Sequence, residues 1–350
     1  MRKAVYSLLI LIFLSSFVSA YTESEDLFRI EAKGAGVYVD RTKMFHFGNV
    51  SSYPTNEVHY LLKFDTDAWA GGYEIILGTK KLNSIYFEAS FEQYGMSFKD
   101  VKTNLPSYDG VGELTLMGYI DNAYGTGIAI AAGDGDENHT GTVTLKYELN
   151  HYSIRLNALR DILDDNKFAL SLFAGPVYSR FSQYYGISTQ GENMSGDGCS
   201  SYTSEKLNDY LFGGNLGLKG GMRLFKNCRI DISETFDLFY YHSRLKARQD
   251  FNSCLIDDGI ALADVDGSID MRDVYNGFVP HFASNIDITY DITKNVSISM
   301  FYQFDYWARL AHIVNPVVSG QLLSQNGSIH IAAEEDILSH AIGGSVSVRF

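Results

Sequence analysis

The feature that most constrains this chain is a strict alternation of apolar and polar residues in its C-terminal half. Between residues 210 and 224, the even-numbered positions carry Tyr210, Phe212, Leu216, Leu218, Met222 and Leu224. The odd-numbered positions include Asn215, Lys219 and Arg223. Because neighbouring side chains of a strand point to opposite faces, this period of two predicts a strand with one apolar and one polar face. The same pattern predicts further strands over 229–240, 278–291, 296–306 and 338–350.

The connections between the predicted strands alternate in length. Short turns are predicted at 79–83, 162–167, 225–228 and 292–295, and long polar segments at 41–66, 186–208, 243–275 and 311–337. A membrane barrel has short turns at its periplasmic rim and long loops at its external rim. We therefore predict an all-β fold, a transmembrane antiparallel up-and-down β-barrel. Counting a weak hairpin over 112–133 gives twelve strands, the number that we favour, and leaving it out gives ten.

The N-terminus has the features of a targeting segment. A short basic region precedes an apolar run over residues 4–14, and a small-residue sequence, Val-Ser-Ala, ends at Ala20. The run is shorter than the roughly 20 residues that a spanning helix needs. We therefore expect residues 1–20 to be a signal peptide cleaved after Ala20. Residues 21–350 are then expected to form a single barrel domain in the bacterial outer membrane.

Two details of the pattern concern the faces of the strands. In 140–160 the apolar residues are odd-numbered up to Leu149 and even-numbered from Tyr152. A bulge near Asn150 and His151 is expected to restore the face. Aromatic residues also cluster where strands meet their long loops, and we expect an interfacial girdle there. These residues are Phe181, Tyr184, Tyr185, Phe239, Tyr240, Tyr241, Phe304, Tyr306 and Trp307.

Several strings resemble strands of the Legionella-type pore-forming major outer-membrane proteins. They are FALSLFAGPVYSRFSQ at 168–183, FGGNLGLKGGMRL at 212–224, GFVPHFASNIDITYDI at 277–292 and VSISMFYQFDYWARL at 296–310. The resemblance covers roughly residues 140–350, and the segment 99–139 and Pro176 depart from it. It implies a porin that admits ions and small solutes. The final GGSVSVRF, ending on Phe350, has the form that bacterial barrel-assembly machinery recognises.

Charged residues on the polar faces are the candidate pore lining. Charges on the lipid face of a barrel are unfavourable, so these side chains are expected in the lumen. They are Lys219, Arg223, Arg229, Asp231, Asp237, Asp287, Asp291, Asp305 and Arg309. They could set a field that selects solutes, or they could form a salt-bridged plug, because barrels of this size hold either a narrow pore or packed side chains. Both signs are present, so the ion preference stays open.

The function that we favour is passive diffusion of ions and small hydrophilic solutes. The first alternative is an adhesin-type surface barrel whose function lies in its external loops. An outer-membrane hydrolase is less favoured, since no nucleophile motif accompanies His242, His312 or His330. Ser243 adjoins His242, but neighbouring strand residues face opposite sides. We therefore expect a protein that is not an enzyme.

Composition limits the partners. The net charge of -14 argues against a nucleic-acid surface. Acidic loop segments do not match a calcium-binding spacing, and no motif implies a metal or another cofactor. The expected partners are outer-membrane lipid, the assembly machinery and the solutes, with a homo-oligomer left open.

The three cysteines test the predicted topology. Cys199 and Cys254 fall in two long segments at one rim, and Cys228 falls in a short turn at the other. We expect either a Cys199–Cys254 disulfide or three free thiols. Cys228 should not pair with either residue, because it would have to reach across the barrel.

Overall fold

The computed structural model describes most of the chain after residue 27. The described residues are 28–41, 45–52, 57–64, 68–79, 84–105, 112–115, 129–132, 141–165, 167–192, 198–252, 255–257, 260–262, 266–312, 318–321, 326–329 and 333–350. The predicted signal peptide lies outside them. Within this part of the chain, no helix is long and apolar enough to cross a membrane.

The described residues form eighteen strands. They are β1 (Phe28–Arg41), β2 (Phe45–Ser52), β3 (Glu57–Phe64), β4 (Ala68–Thr79), β5 (Ile85–Leu105), β6 (Gly112–Thr115), β7 (Ala129–Ala132), β8 (Gly141–Asp164), β9 (Phe168–Glu192), β10 (Gly198–Phe225), β11 (Cys228–Asn252), β12 (Leu255–Asp257), β13 (Ile260–Leu262), β14 (Asp266–Asp291), β15 (Val296–His312), β16 (Val318–Gln321), β17 (Asn326–Ile329) and β18 (Ala333–Arg349). Ten of them close into one antiparallel barrel, in the order β1-β18-β15-β14-β11-β10-β9-β8-β5-β4. This order is an up-and-down meander, and it confirms the predicted fold class.

The favoured count of twelve barrel strands is wrong. The weak hairpin corresponds to β6 and β7, which are only four residues long each. A barrel strand needs about 9–11 residues to cross the bilayer, so neither can span it. Both strands instead join β2 and β3 in a separate four-stranded sheet.

An apolar belt surrounds the barrel. On β10, the outward residues from Phe212 to Leu224 are apolar and large side chains among them are exposed, for example Leu216 at 60%. Along a tilted strand, these thirteen residues rise about 30 Å, which matches the hydrocarbon thickness of a bilayer. Exposed Met300, at 69%, continues the belt on β15. A soluble protein rarely exposes a continuous apolar surface of this extent, so the belt marks the part of the barrel that lies in the membrane.

Five neighbouring strands continue well beyond this belt. Strands β8, β9, β10, β11 and β14 are 24 to 28 residues long. Much of the predicted long segments 186–208 and 243–275 is therefore barrel wall, and the connection between β9 and β10 spans only 193–197. The connections there are therefore shorter than expected, because the polar outer face of a strand above the membrane has the composition of a loop, although 253–265 remains a long connection between β11 and β14.

The expected bulge near Asn150 is also absent. The pairing of β8 with β5 and with β9 runs without a register shift through residues 149–152. Leu149 and His151 both point inward and are buried, whereas Leu156 points outward and is exposed. The apolar residues change face because their surroundings change along the strand. Within the membrane, the apolar side chains face outward to the lipid. Above the membrane, they face inward to the core of the barrel.

Pro176 lies at an interruption of the β8–β9 ladder. The pairing skips from Arg155–Val177 to Ala158–Ala174. Here the strands approach so closely that a Cβ on Gly175 would lie 1.8 Å from the carbonyl oxygen of Leu156. Proline lacks the N–H that a regular ladder needs, so an interrupted ladder can accept it.

Candidate functional site in the barrel interior

A layer of buried side chains fills the barrel near the outer edge of the belt. Every one of the ten barrel strands contributes an inward residue that is at most 5% exposed. These ten residues, which we call the interior layer, are Val37, Ala70, Tyr94, His151, Phe181, Leu211, Phe239, Val279, Trp307 and Ile337. Because every strand is represented, the layer extends around the complete inner circumference.

Trp307 joins opposite walls of the barrel. Strands β15 and β8 are five positions apart in the ring of ten, and the Trp307 ring lies 5.7 Å from that of His151 on β8. Trp307 also contacts Phe181 at 4.9 Å and Phe239 at 5.5 Å, and it stacks on His281 at 3.8 Å. Among the described residues, these aromatic contacts therefore run from one wall of the lumen to the opposite wall at this height.

A charged network lies beside the interior layer. Asp237 accepts hydrogen bonds from Arg155 Nη2 at 3.0 Å and from His281 Nδ1 at 2.7 Å. His281 Nε2 lies 3.4 Å from Asp305 Oδ1, and Arg155 Nη1 lies 3.6 Å from Glu92 Oε2. Each charged group of this network thus has at least one partner of opposite sign, as a low-dielectric interior requires.

A polar chamber occupies the periplasmic half of the lumen. Its volume is about 680 Å³, and its lining includes eight basic and nine acidic residues. Lys219 Nζ on β10 approaches Glu88 Oε1 on β5 at 3.8 Å, and Lys33 Nζ lies 3.2 Å from Glu74 Oε2. The chamber is therefore close to neutral, with ion pairs along and across its walls. Residues of the periplasmic turns, such as Lys167, belong to its lining, which places it at the periplasmic rim.

The interior on the external side of the layer is also packed. Tyr147, Tyr185 and Tyr241 are fully buried there. Ser243 Oγ donates a hydrogen bond to Asp209, and both side chains are fully buried. The extended part of the barrel is thus a filled structure with its own core.

The predicted lumenal residues separate into three groups. Lys219, Arg223, Arg229, Asp231 and Asp287 line the chamber. Asp237 and Asp305 belong to the charged network beside the layer. Asp291 ends β14, outside the chamber lining, where its backbone N–H donates to Asn227 O at 2.8 Å.

The prediction for Arg309 is wrong. The pairing of β15 with β18 shifts between Trp307 and Leu310, and Arg309 has a φ of 57°. This bulge breaks the alternation, so Leu310 is buried and Arg309 is exposed outside the lumen. Its backbone N–H donates to Asp336 Oδ1 at 3.1 Å.

The remaining candidates are the histidines, Ser243 and the cysteines. His242 faces outward on β11, whereas Ser243 faces the interior, so the two cannot act together. His330 and Cys254 lie outside the described residues, and so do the side chains of His312 and Cys199. Cys228 is a free cysteine at the start of β11. Within the described part of the chain, no three His, Cys, Asp or Glu residues are placed to hold a metal ion.

Alternation explains which interior residues the sequence analysis missed. Phe181, Tyr185, Phe239, Tyr241 and Trp307 were expected in the interfacial girdle, but they point inward and are buried. Consecutive aromatics on a strand must face opposite sides, so half of any such group has to enter the lumen. Arg155, Glu92 and His151 had no comparable signal, because their partners lie on strands that are distant in sequence.

The closed ten-strand barrel and its apolar belt define a β-barrel protein of the bacterial outer membrane. No family model and no curated protein matches the chain. Solved outer-membrane barrels align over nearly its whole length. The protease OmpT of Escherichia coli aligns with a TM-score of 0.46 and 11% identity, covering 95% of this chain and 99% of that one. Neisserial surface protein A aligns with a TM-score of 0.27 and 10% identity, covering 92% of this chain and 97% of that one. A major outer membrane protein of Thermus thermophilus aligns with a TM-score of 0.29 and 11% identity, covering 93% of this chain and 100% of that one.

Proposed function

We propose that this protein is a surface barrel that is closed to passive diffusion and acts through its extracellular part. The observation that carries this proposal is the contact between Trp307 and His151 across the full barrel diameter. A diffusion pore needs a continuous polar path, whereas this lumen contains tightly packed rings. We keep the expectation that the protein is not an enzyme.

The shape of the external half supports the proposal. Five strands extend beyond the belt by about 10 to 14 residues, or roughly 25 to 35 Å along tilted strands. Their inward residues, including Tyr147, Leu207 and Leu245, form a buried core. A filled β-structure is a rigid support, and binding residues commonly lie on loops that such a scaffold positions.

Planar-bilayer recordings test this function. We expect refolded wild-type protein to give no steady conductance steps. Replacing both Phe181 and Trp307 with alanine removes the rings that join the two walls, and conductance should then appear. Trp69 is the matched control, because it is the other tryptophan of the chain and points outward with 65% of its surface exposed. Trp69→Ala should leave the membrane closed.

The porin is the second candidate, and the polar chamber favours it. Its mixed ion pairs resemble the wall of a solute path, and the likeness to pore-forming major outer-membrane proteins implies the same function. If wild-type protein conducts steadily, and if Lys219→Glu then shifts the reversal potential toward cation selectivity, the porin is correct and the closed barrel is wrong.

A further inference from the structure

An outward-facing cluster of basic residues lies directly above the apolar belt. It occupies three successive rows of outward positions on β9, β10, β11 and β14. We call it the outer basic face, and its members are Arg180, Lys206, His242, Arg244, Lys246 and Arg272. Among the twelve outward positions of these rows there is no carboxylate, although the whole chain carries a net charge of -14.

The uppermost row brings three cations side by side. Lys206 on β10 pairs in register with Lys246 on β11, and Lys246 pairs with Arg272 on β14. All three side chains are exposed. Like charges directly opposite each other on a sheet are unfavourable, so this row is destabilised unless an anion is bound there.

The lower rows hold two guanidinium groups over one ring. Arg180 Cζ lies 5.1 Å and Arg244 Cζ 5.9 Å from the centre of the Tyr210 ring. Arg244 Nε donates to His242 Nε2 at 2.9 Å, and Arg180 Nη2 donates to Asn208 Oδ1 at 2.9 Å. These bonds fix both side chains while leaving the Nη groups of Arg244 available. A planar guanidinium presented in this way suits the oxygens of a phosphate group.

None of the five Lys and Arg side chains of the face has a carboxylate partner within 4 Å among the described residues. Cations just outside the face do have one. Lys146 Nζ lies 2.8 Å from Glu148 Oε1, and Arg248 Nη2 lies 2.9 Å from Asp250 Oδ1. The positive charge of the face is therefore not neutralised by neighbouring residues of the wall.

The height of the outer basic face above the hydrocarbon edge shows which part of the lipid lies beside it. Phe212 is the last residue of the belt on β10, and each two-residue step along a tilted strand rises about 5 Å. The three rows therefore lie roughly 5, 10 and 15 Å above the hydrocarbon edge, a range that begins in the layer of lipid headgroups. A lipid whose acyl chains pack on Phe212 and Tyr178 would place its headgroup against Arg180 and Arg244.

We propose that the outer basic face binds the headgroup of a phosphorylated lipid of the outer leaflet. The lower arginines hold one phosphate close to the hydrocarbon edge. The row of Lys206, Lys246 and Arg272 holds anionic groups further from the membrane. The spread of the cations over about 10 Å of height suits a large headgroup that carries more than one negative group.

Binding measurements on the full-length protein in non-ionic detergent test this proposal. The probes are lipid A, a glucosamine disaccharide lipid with two phosphates, and the same lipid after enzymatic removal of its phosphates. The variants are Arg180→Gln with Arg244→Gln, and Lys206→Gln with Lys246→Gln and Arg272→Gln. The matched control is Lys146→Gln with Arg248→Gln, which removes exposed cations that already have carboxylate partners. Circular dichroism verifies that each variant is folded.

We expect dephosphorylation to weaken binding to wild type at least tenfold, since charge-assisted hydrogen bonds to phosphate are strong. Each face variant should weaken binding of the phosphorylated lipid about tenfold, whereas the control should change it less than twofold. Affinity should also fall as salt is raised. Equal binding of both lipids by wild type, or equal losses in face and control variants, would overturn the proposal. So would full displacement of the lipid by millimolar inorganic phosphate, which would indicate a site for soluble anions.

Discussion

Replacing Asp237 with alanine removes the carboxylate that organises the charged network in the barrel interior. Asp237 is fully buried and accepts hydrogen bonds from Arg155 and His281. Breaking a buried ion pair by removing one partner costs about 3–5 kcal/mol, because the other charge is left unpaired. Here Arg155 keeps Glu92 at 3.6 Å and His281 keeps Asp305 at 3.4 Å. We therefore expect the lower end of that range, a loss of about 3 kcal/mol in the free energy of unfolding.

Urea titration of the folded barrel in lipid vesicles, followed by tryptophan fluorescence, measures this loss. Trp307 stacks on His281 and reports on the network directly. Asp291→Ala is the matched control, because Asp291 lies at the end of the inward face of β14 without an ion pair among the described residues. Its effect should stay within about 0.5 kcal/mol. If Asp237→Ala destabilises the barrel no more than the control does, the network does not support the interior as argued.

Two further predictions concern the periplasmic rim. The Asp165 carboxylate accepts hydrogen bonds from the backbone N–H groups of Phe168 and Lys167, which lowers its pKa below the ordinary 3.8. Its stabilising contribution is therefore complete above pH 3.8 and is lost as the pH falls through the lowered pKa. Unfolding of wild type and Asp165→Asn should differ at neutral pH and coincide below that pKa. Phe350 N donates to Phe28 O at 3.0 Å at the β1–β18 closure, and deleting Phe350 should reduce the fraction of protein inserted in cells. Insertion of the shortened protein at the wild-type level would contradict that.

The fold was accessible from the sequence because its main signals are local. Alternation identified the strands, and the short turns at 225–228 and 292–295 fixed one rim. The number of strands was not accessible in the same way. A four-residue strand such as β6 shows the same local pattern as part of a long one, and only its pairing with β2 places it outside the barrel.

The interior was predictable only in part, since its contacts join distant strands. Alternation placed Asp237 and Asp305 on the inward face, but Arg155 reaches Asp237 from three positions around the ring. Which inward residues meet depends on the diameter and the shear of the barrel, and neither is visible in a single strand. The prediction for Arg309 failed for a local reason. One residue with positive φ reverses the face of the strand that alternation had assigned to it.

The groups of consecutive aromatic residues place side chains both in the interfacial girdle and in the barrel interior. In Phe239-Tyr240-Tyr241, Tyr240 faces outward and is 48% exposed, whereas its two neighbours face inward and are fully buried. A water-filled barrel would place polar residues at the inward positions of such a group, since large apolar rings exposed to a water-filled lumen are unfavourable. Consecutive aromatics therefore mark a height at which the inside of a barrel is as apolar as the outside. On β9 the group around Phe181 marks the same layer. The aromatic pattern that predicted a membrane interface therefore also supports the proposal of a closed lumen.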